Sequence, residues 1–217
     1  DDLRETNPAV NEPLLAAVAS HLVEVKFDLK AFTRTLVGSR LYQLSSVARA
    51  ENNDDLQNFS HAIPKALPAE VLLDAICQVT GVPEKFNGWP RGYRAIQIWD
   101  NRMPSYFFRI FGRPVRASVC ECERSNEPSI SQALHLINSP EIQAKLTSEN
   151  GTARRLATSK LTRDEIIDEL FLSTVSRFPR ADERILFREV FSTTDRREAV
   201  ADCLWTLLNS KLFLYNH

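Results

Sequence analysis

Residues 120–124 of this 217-residue chain read Cys-Glu-Cys-Glu-Arg. They combine two thiols and two carboxylates, which are side chains that can bind metals or react, with one guanidinium. In an extended backbone, every second residue of this string would share one face. The two thiols could pair with each other or with Cys77, or they could be small buried side chains. They could also bind a metal together with His135, although a structural zinc site requires a fourth ligand. The candidate metal ligands are Cys120, Cys122 and His135, and all three interpretations stay open.

Arginine and aromatic side chains concentrate just before this string. Eight of the 19 aromatic residues fall within residues 81–111. Residues 85–124 carry eight Lys/Arg and three Asp/Glu, a net charge of +5, in a chain whose net charge is −1. Aromatic faces stack on sugar rings and bases, and arginine forks grip sulfate, carboxylate or phosphate. The candidate ligand-binding residues are Trp89, Arg91, Tyr93, Arg94, Trp99, Arg113, Arg116 and Arg124.

The same side chains could serve the fold instead of a ligand. Rings anchor irregular segments to a helical core, and the arginines could pair with carboxylates of residues 1–84, whose net charge is −5. Nucleic acid is not expected as a partner, because the whole chain is nearly neutral and the basic stretch is almost without lysine. No metalloprotease motif or nucleophile elbow occurs, so whether the chain is an enzyme stays open.

The elements that must position these residues are predicted to be helices. Asn11, Asp28, Thr162 and Asp195 each precede an apolar pattern with helical spacing and are predicted N-caps. Buried helix faces follow, and Cys203 is predicted to be a buried, inert thiol in the last long helix. The predicted fold class is all-α with seven to nine helices.

A long irregular insert is predicted at residues 81–127, where glycine and proline interrupt the helical pattern. Within it, residues 104–111 predict a short helix that ends at Gly112 in a left-handed conformation. Residues 95–99 alternate weakly and predict a short extended segment. An irregular stretch of this length inside a compact domain is typical of a functional region.

Six strings follow one another in an order that resembles a known family. They are 27–30 (FDLK), 39–46 (SRLYQLSS), 67–75 (LPAEVLLDA), 111–114 (FGRP), 120–138 (CECERSNEPSISQALHLIN) and 204–217 (LWTLLNSKLFLYNH). Together they resemble the planctomycete-type domain of unknown function 1553. That domain is the C-terminal part of large secreted or periplasmic proteins that are often joined to cytochrome c-like modules.

The resemblance implies an uncharacterised accessory or ligand-binding domain of a bacterial envelope or secreted multidomain protein. An anionic polysaccharide bound through the arginine and aromatic insert is the expected ligand. The alternative is part of a cytochrome-linked oxidoreductase that acts on carbohydrate. The resemblance also implies a periplasmic or extracellular location and upstream domains of the same protein as partners.

The sequence also predicts the extent of the domain, its cofactors and whether it spans a membrane. Because the chain opens on Asp1 and not on Met, we expect it to be a C-terminal fragment of a larger protein. From the length, residues 1–217 are expected to form a single helical domain. No cofactor is expected in this chain, and haem c would belong to an associated module. No membrane span is expected, because no run of eighteen apolar residues occurs.

Overall fold

The computed structural model describes residues 6–55, 58–99, 103–114 and 128–216. Arg116, Arg124, Cys120 and Cys122 lie outside the described residues. Among those that are described, eleven α-helices occur, and eight of them have seven residues or more. The predicted all-α class is confirmed. None of the described helices is long and apolar enough to cross a membrane.

The helices follow one another with few other regular elements. They are α1 Glu12–Glu24, α2 Leu29–Gly38, α3 Ala69–Thr80, α4 Tyr106–Ile110, α5 Ile130–Asn138, α6 Pro140–Leu146, α7 Thr152–Ala157, α8 Arg163–Val175, α9 Ala181–Thr193, α10 Arg196–Leu208 and α11 Lys211–Leu214. Two short strands, β1 Lys65–Ala66 and β2 Tyr215–Asn216, pair antiparallel, with Lys65 opposite Asn216. The short elements α7, α11, β1 and β2 are not indicated by the sequence.

The chain divides into two compact units, one ending at Pro64 and one spanning Lys65–Asn216. The prediction of one domain over residues 1–217 stays a prediction. In the first unit, the side chain of Asn11 accepts a hydrogen bond from the N–H of Leu14 at 3.0 Å. The carboxylate of Asp28 accepts one from Lys30 N–H at 2.9 Å. Both predicted N-caps are therefore confirmed.

The core of the second unit gathers around α10. This helix packs against α6, α7, α8, α9 and α11. Its buried face follows the predicted helical spacing, and Cys203 is buried as predicted. Burying one such aliphatic side chain contributes about 1.5–3 kcal/mol. The largest fully buried apolar side chains are Ile76, Leu156, Ile166, Ile167, Leu170, Phe171, Val200, Leu204 and Leu208.

Polar N-cap residues begin two of the long helices of this core, α8 and α10. Thr162 and Glu165 form the predicted capping box at the start of α8. The carboxylate of Asp195 accepts hydrogen bonds from the N–H groups of Arg197 and Glu198 at the start of α10.

At the end of α3, Gly81 has φ +70°, and a Cβ there would lie 2.9 Å from the hydroxyl oxygen of Thr152.

The described part of the insert contains the predicted short helix, α4. Gly112 has φ +72°, and the N–H of Arg113 donates to the carbonyl of Phe108 at 2.9 Å, which closes the helix end. The predicted left-handed Gly112 is confirmed. The predicted extended segment at 95–99 is wrong, because Ala95–Gln97 forms a 3₁₀ turn. The N–H groups of Ala95 and Ile96 donate to Asp74 on α3 and fix this turn. The alternation of residue types along residues 95–99 does not indicate these contacts.

Candidate functional site

Trp89, Tyr93 and Trp99 form a group of rings on the surface of the second unit, which we call the ring cluster. The ring centroids of Trp89 and Tyr93 are 5.3 Å apart. Those of Trp89 and Trp99 are 5.7 Å apart, with the edge of one ring toward the face of the other at 73°. Trp99 is 78% exposed and Tyr93 is 37% exposed. The structure thus brings together all three aromatic residues that the sequence selected as ligand-binding candidates.

A tight turn and a stacking contact with a buried ring position the segment that begins the cluster. The N–H of Trp89 donates to the carbonyl of Phe86 at 3.1 Å. Phe86 itself stacks on the buried ring of Phe108, with centroids 6.1 Å apart and planes 11° from parallel. The aromatic residues of the insert therefore divide into rings that pack on the core, such as Phe86, and rings that face solvent, such as Trp99. The packing interpretation applies to Phe86, whereas Trp99 stays a candidate for ligand binding.

Asp74, on α3, anchors the segment that carries the cluster. Its two carboxylate oxygens accept hydrogen bonds from the N–H of Ala95 at 2.6 Å and from the N–H of Ile96 at 3.1 Å. The Nε of Arg94 lies 3.5 Å from the second oxygen. The side chain of Gln97 accepts a hydrogen bond from the N–H of Arg94 at 2.8 Å, which completes the turn.

The two arginines nearest to the rings in sequence have different surroundings. Arg94 is paired with Asp74, yet 68% of its side chain is exposed. Arg91 is exposed, and no ion pair or hydrogen bond of its side chain occurs among the described residues. Internal pairing of arginine with a carboxylate of residues 1–84 is thus found at Arg94, whereas Arg91 keeps its guanidinium in solvent.

Arg113 lies in the interior, apart from the exposed rings. Its Nε is 3.3 Å from a carboxylate oxygen of Glu70, with side-chain exposures of 5% and 8%. Its guanidinium carbon is 4.4 Å from the ring centroid of Phe108, and one Nη donates to the carbonyl of Ile98. Arg113 therefore connects the end of α4 to α3 and to the 3₁₀ turn.

A pocket of about 190 Å³ lies beside His135, between α3, α4, α5 and α6. The imidazole is half-buried, with its centroid 5.5 Å from Tyr106, 5.6 Å from Phe107 and 6.1 Å from Phe111. Burial lowers the pKa of His135, and the nearby carboxylate of Glu141 opposes this shift. Within the described ranges, Nε2 is buried and has no hydrogen-bond partner.

Two of the charged side chains that line this pocket, Glu84 and Lys145, form an ion pair. The ammonium of the buried Lys145 lies 3.1 Å from one carboxylate oxygen of Glu84 and donates to the carbonyl of Val82 at 3.2 Å. The other oxygen of Glu84 accepts from the N–H of Lys85 at 3.0 Å. Burial raises the pKa of the nearby Cys77 thiol, although the Lys145 ammonium opposes the shift. Burial is the larger of these two effects, so the pKa of Cys77 lies above its ordinary value.

Of the three candidate metal ligands, Cys120, Cys122 and His135, the structure describes only His135. Its ring lies among aromatic side chains. Over residues 6–55, 58–99, 103–114 and 128–216, no group of three His, Cys, Asp or Glu is placed to hold a metal ion. A site at Cys120, Cys122 and His135 stays a prediction.

Sequence reasoning missed the carboxylates that organise this region. Asp74 and Glu70 lie on α3 and read as ordinary helix residues, yet each contacts the insert across more than twenty positions. The one available signal was the charge asymmetry between residues 1–84 and residues 85–124. That asymmetry indicates arginine–carboxylate pairing in general, and it does not indicate which carboxylate pairs with which arginine.

Comparison with known proteins gives one match. The sequence model of the family described as PSD1, protein of unknown function (DUF1553), matches residues 1–191. The matched range includes Asp74, the whole ring cluster and His135. No curated protein and no solved structure matches the chain significantly.

Proposed function

The chain belongs to the PSD1 family of proteins of unknown function (DUF1553), and from its surface we propose that it is an accessory domain that binds an anionic polysaccharide. The observation that carries the proposal is the ring cluster, in which Trp99 is 78% exposed although an indole is among the largest apolar side chains. Scattered exposed apolar residues are ordinary, but three converging rings offer a stacking surface for sugar faces.

Arg91 supplies the charge that the proposal needs. It lies between Trp89 and Tyr93 in the chain, it is exposed, and no described residue pairs with it. A guanidinium fork binds a carboxylate or sulfate with two parallel hydrogen bonds. Ring faces would then contact the sugar while the arginine contacts its anionic group.

A fluorescence titration with sulfated and uronic-acid polysaccharides tests this function. We expect the emission of Trp89 and Trp99 to change on binding, and the affinity to fall steeply between low and high salt. The R91A/R94A variant should bind more weakly while it keeps its fold, since exposed substitutions usually change stability by about 0.5 kcal/mol or less.

The matched control removes two exposed positive charges elsewhere. R155A/K160A carries the same change in net charge, with both residues exposed on or just after α7. It should bind like the unmodified chain. If the unmodified chain binds no anionic polysaccharide at low salt, or if both double variants lose the same affinity, the function is not the one proposed.

The setting of the domain is part of the same proposal. An extracellular or periplasmic location would bring the ring cluster into contact with envelope polysaccharide, and upstream domains of the same protein would be its neighbours. Fractionation of cells that express the whole protein, followed by immunodetection, tests the location. Detection only in the cytoplasmic fraction would remove this part of the proposal.

The alternative, part of a cytochrome-linked oxidoreductase acting on carbohydrate, stays a prediction. The observation in its favour is the pocket beside His135, where a neutral imidazole and the hydroxyl-bearing Ser105 and Tyr106 line a space large enough for a small molecule. Turnover of a sugar by the whole protein with an added electron acceptor, abolished in H135F, would support it. Equal turnover in both proteins would count against this pocket.

A further inference from the structure

We propose that Asp74 sets the ligand specificity of the ring cluster, so that the site prefers a polysaccharide with widely spaced anionic groups to a densely sulfated one. This inference rests on the proposed function, because it concerns the ligand class of that same surface. It assigns Asp74 a role as a specificity-determining residue that acts through Arg94. The ligand class is a sugar chain that presents one anionic group next to an uncharged sugar face.

The carboxylate of Asp74 is fixed in place. One oxygen accepts from Ala95 N–H at 2.6 Å, the other accepts from Ile96 N–H at 3.1 Å, and the side chain is only 15% exposed. A carboxylate that caps two backbone N–H groups cannot swing away when an anionic ligand arrives. It therefore holds its negative charge at a fixed position at the edge of the site.

This charge offsets one of the two arginines. Arg91 and Arg94 are the only charged residues between Phe86 and Trp99. Arg94 has its Nε 3.5 Å from Asp74, whereas Arg91 has no ion-pair partner among the described residues. Asp74 thus offsets Arg94, and among the described residues no carboxylate offsets the exposed Arg91.

A ligand with sparse charge matches this arrangement. One carboxylate or sulfate can bind Arg91 while neighbouring sugar rings stack on exposed faces such as that of Trp99. A densely sulfated chain would place a second anion near Arg94, where the fixed carboxylate of Asp74 repels it. Like charges brought together in this way disfavour the wrong partner without changing the contacts of the right one.

The D74N variant tests the inference with two polymers. Hyaluronan carries a carboxylate on alternate sugars, and heparin carries sulfates on nearly every sugar. Asn keeps an oxygen that can accept from Ala95 N–H and removes the negative charge. We expect the ratio of heparin affinity to hyaluronan affinity to rise about tenfold in D74N, measured by fluorescence titration of the same chain at one low salt concentration.

A purely structural role for Asp74 would give a different result. Loss of loop order would weaken binding of both polymers together and leave their affinity ratio unchanged. An unchanged ratio in a D74N protein with a native circular dichroism spectrum would therefore overturn the inference, even if both affinities fell.

Two further variants keep the inference testable if D74N does not fold. R94A leaves the charge of Asp74 unopposed beside the position that a second anion would take, so it should lower heparin affinity at least threefold more than hyaluronan affinity. R91A should lower hyaluronan affinity at least tenfold, because it removes the cation that the single anionic group binds. Equal losses of the two affinities in R94A would overturn the inference and leave the proposed function standing. If the unmodified chain binds neither polymer, the proposed function fails first and this inference fails with it.

Discussion

The Nε of Arg113 lies 3.3 Å from a carboxylate oxygen of Glu70, and both side chains are more than nine-tenths buried. The pair joins the end of α4 to the first turn of α3, and the guanidinium also stacks on Phe108. Part of the positive charge of the insert is therefore neutralised inside the fold. Removal of the carboxylate from such a pair takes away a counter-charge of the buried guanidinium, which is strongly destabilising.

Glu70→Gln should lower the free energy of unfolding by about 3 kcal/mol, because the Arg113 guanidinium would stay buried beside a neutral amide. Urea unfolding monitored by circular dichroism measures the change. Arg94→Gln is the control, since the Arg94 side chain is 68% exposed and its contact with Asp74 should contribute less than about 1 kcal/mol. Equal stability of the Glu70 variant and the unmodified chain would show that the buried pair contributes nothing.

Gly112→Val should destabilise the chain by about 1–3 kcal/mol, because a β-branched residue is strained at φ +72°. Gly112→Asn is the matched comparison, since Asn tolerates the left-handed region far better. Thermal unfolding of both variants gives the measurement. We expect the melting temperature of the Val variant to be well below that of the Asn variant. Indistinguishable melting temperatures would contradict the left-handed helix end at Gly112.

Glu183→Gln should remove an acid-sensitive contribution to stability. Hydrogen bonds from Arg177 lower the pKa of Glu183 from 4.5 to about 2, so the folded state favours the ionised form. That contribution is complete above pH 4.5 and is lost as the pH falls toward 2. We expect the variant to lose on the order of 2 kcal/mol at pH 7, a value reduced because the pair is partly solvated.

Unfolding free energies of this variant from pH 7 to pH 2.5 should converge on those of the unmodified chain at the acidic end. Glu169→Gln is the control, because its contact with Arg155 is 4.0 Å long and exposed. A constant difference between the Glu183 variant and the unmodified chain across the whole pH range would contradict the assignment.

His135 should make the chain less stable in mild acid. Burial lowers its pKa below 6.5 in the folded state, so the unfolded chain binds the proton more readily. The neutral imidazole contributes fully above pH 6.5, and this contribution is lost as the pH falls through 6.5 toward the lower folded pKa. His135→Phe should therefore flatten the dependence of stability on pH between about 7 and 5.

The comparison for this prediction is Leu134→Phe, on the same helix, which introduces the same ring at an exposed residue without removing a titratable group and should keep the slope of the unmodified chain over the same pH range. Both variants can be followed by urea unfolding in matched buffers. Parallel pH profiles for His135→Phe and the unmodified chain would mean that this imidazole does not titrate differently in the folded state.

The parts of the fold that could be predicted from the sequence are those with local causes. Asn11, Asp28 and Thr162 each bind backbone N–H groups within three residues, so the residue type and its position suffice. Apolar spacing likewise identifies the buried face of α10. Gly112 followed by Pro114 could be read as a helix end because glycine tolerates a left-handed backbone and proline cannot continue a helix.

The parts that could not be predicted depend on distant partners. The 3₁₀ turn at Ala95 is held by Asp74, 21 positions earlier, and Lys65 pairs with Asn216 across most of the chain. The candidate site shows the same division. Its aromatic residues could be selected from the local composition. That Arg91 is exposed and Arg113 is buried could not be predicted, because both lie in the same basic stretch and only the fold distinguishes them.

The most direct test of the central claim is the affinity of the ring cluster for hyaluronan, measured by isothermal titration calorimetry at low salt for the unmodified chain and for Trp99→Ala. Trp99 is the most exposed ring, and loss of a stacking contact should weaken binding at least tenfold, or about 1.4 kcal/mol. Ile96→Ala, at an exposed apolar residue of the 3₁₀ turn, should leave the affinity unchanged. Equal affinities for the Trp99 variant and the unmodified chain would contradict the claim that these rings bind the polysaccharide.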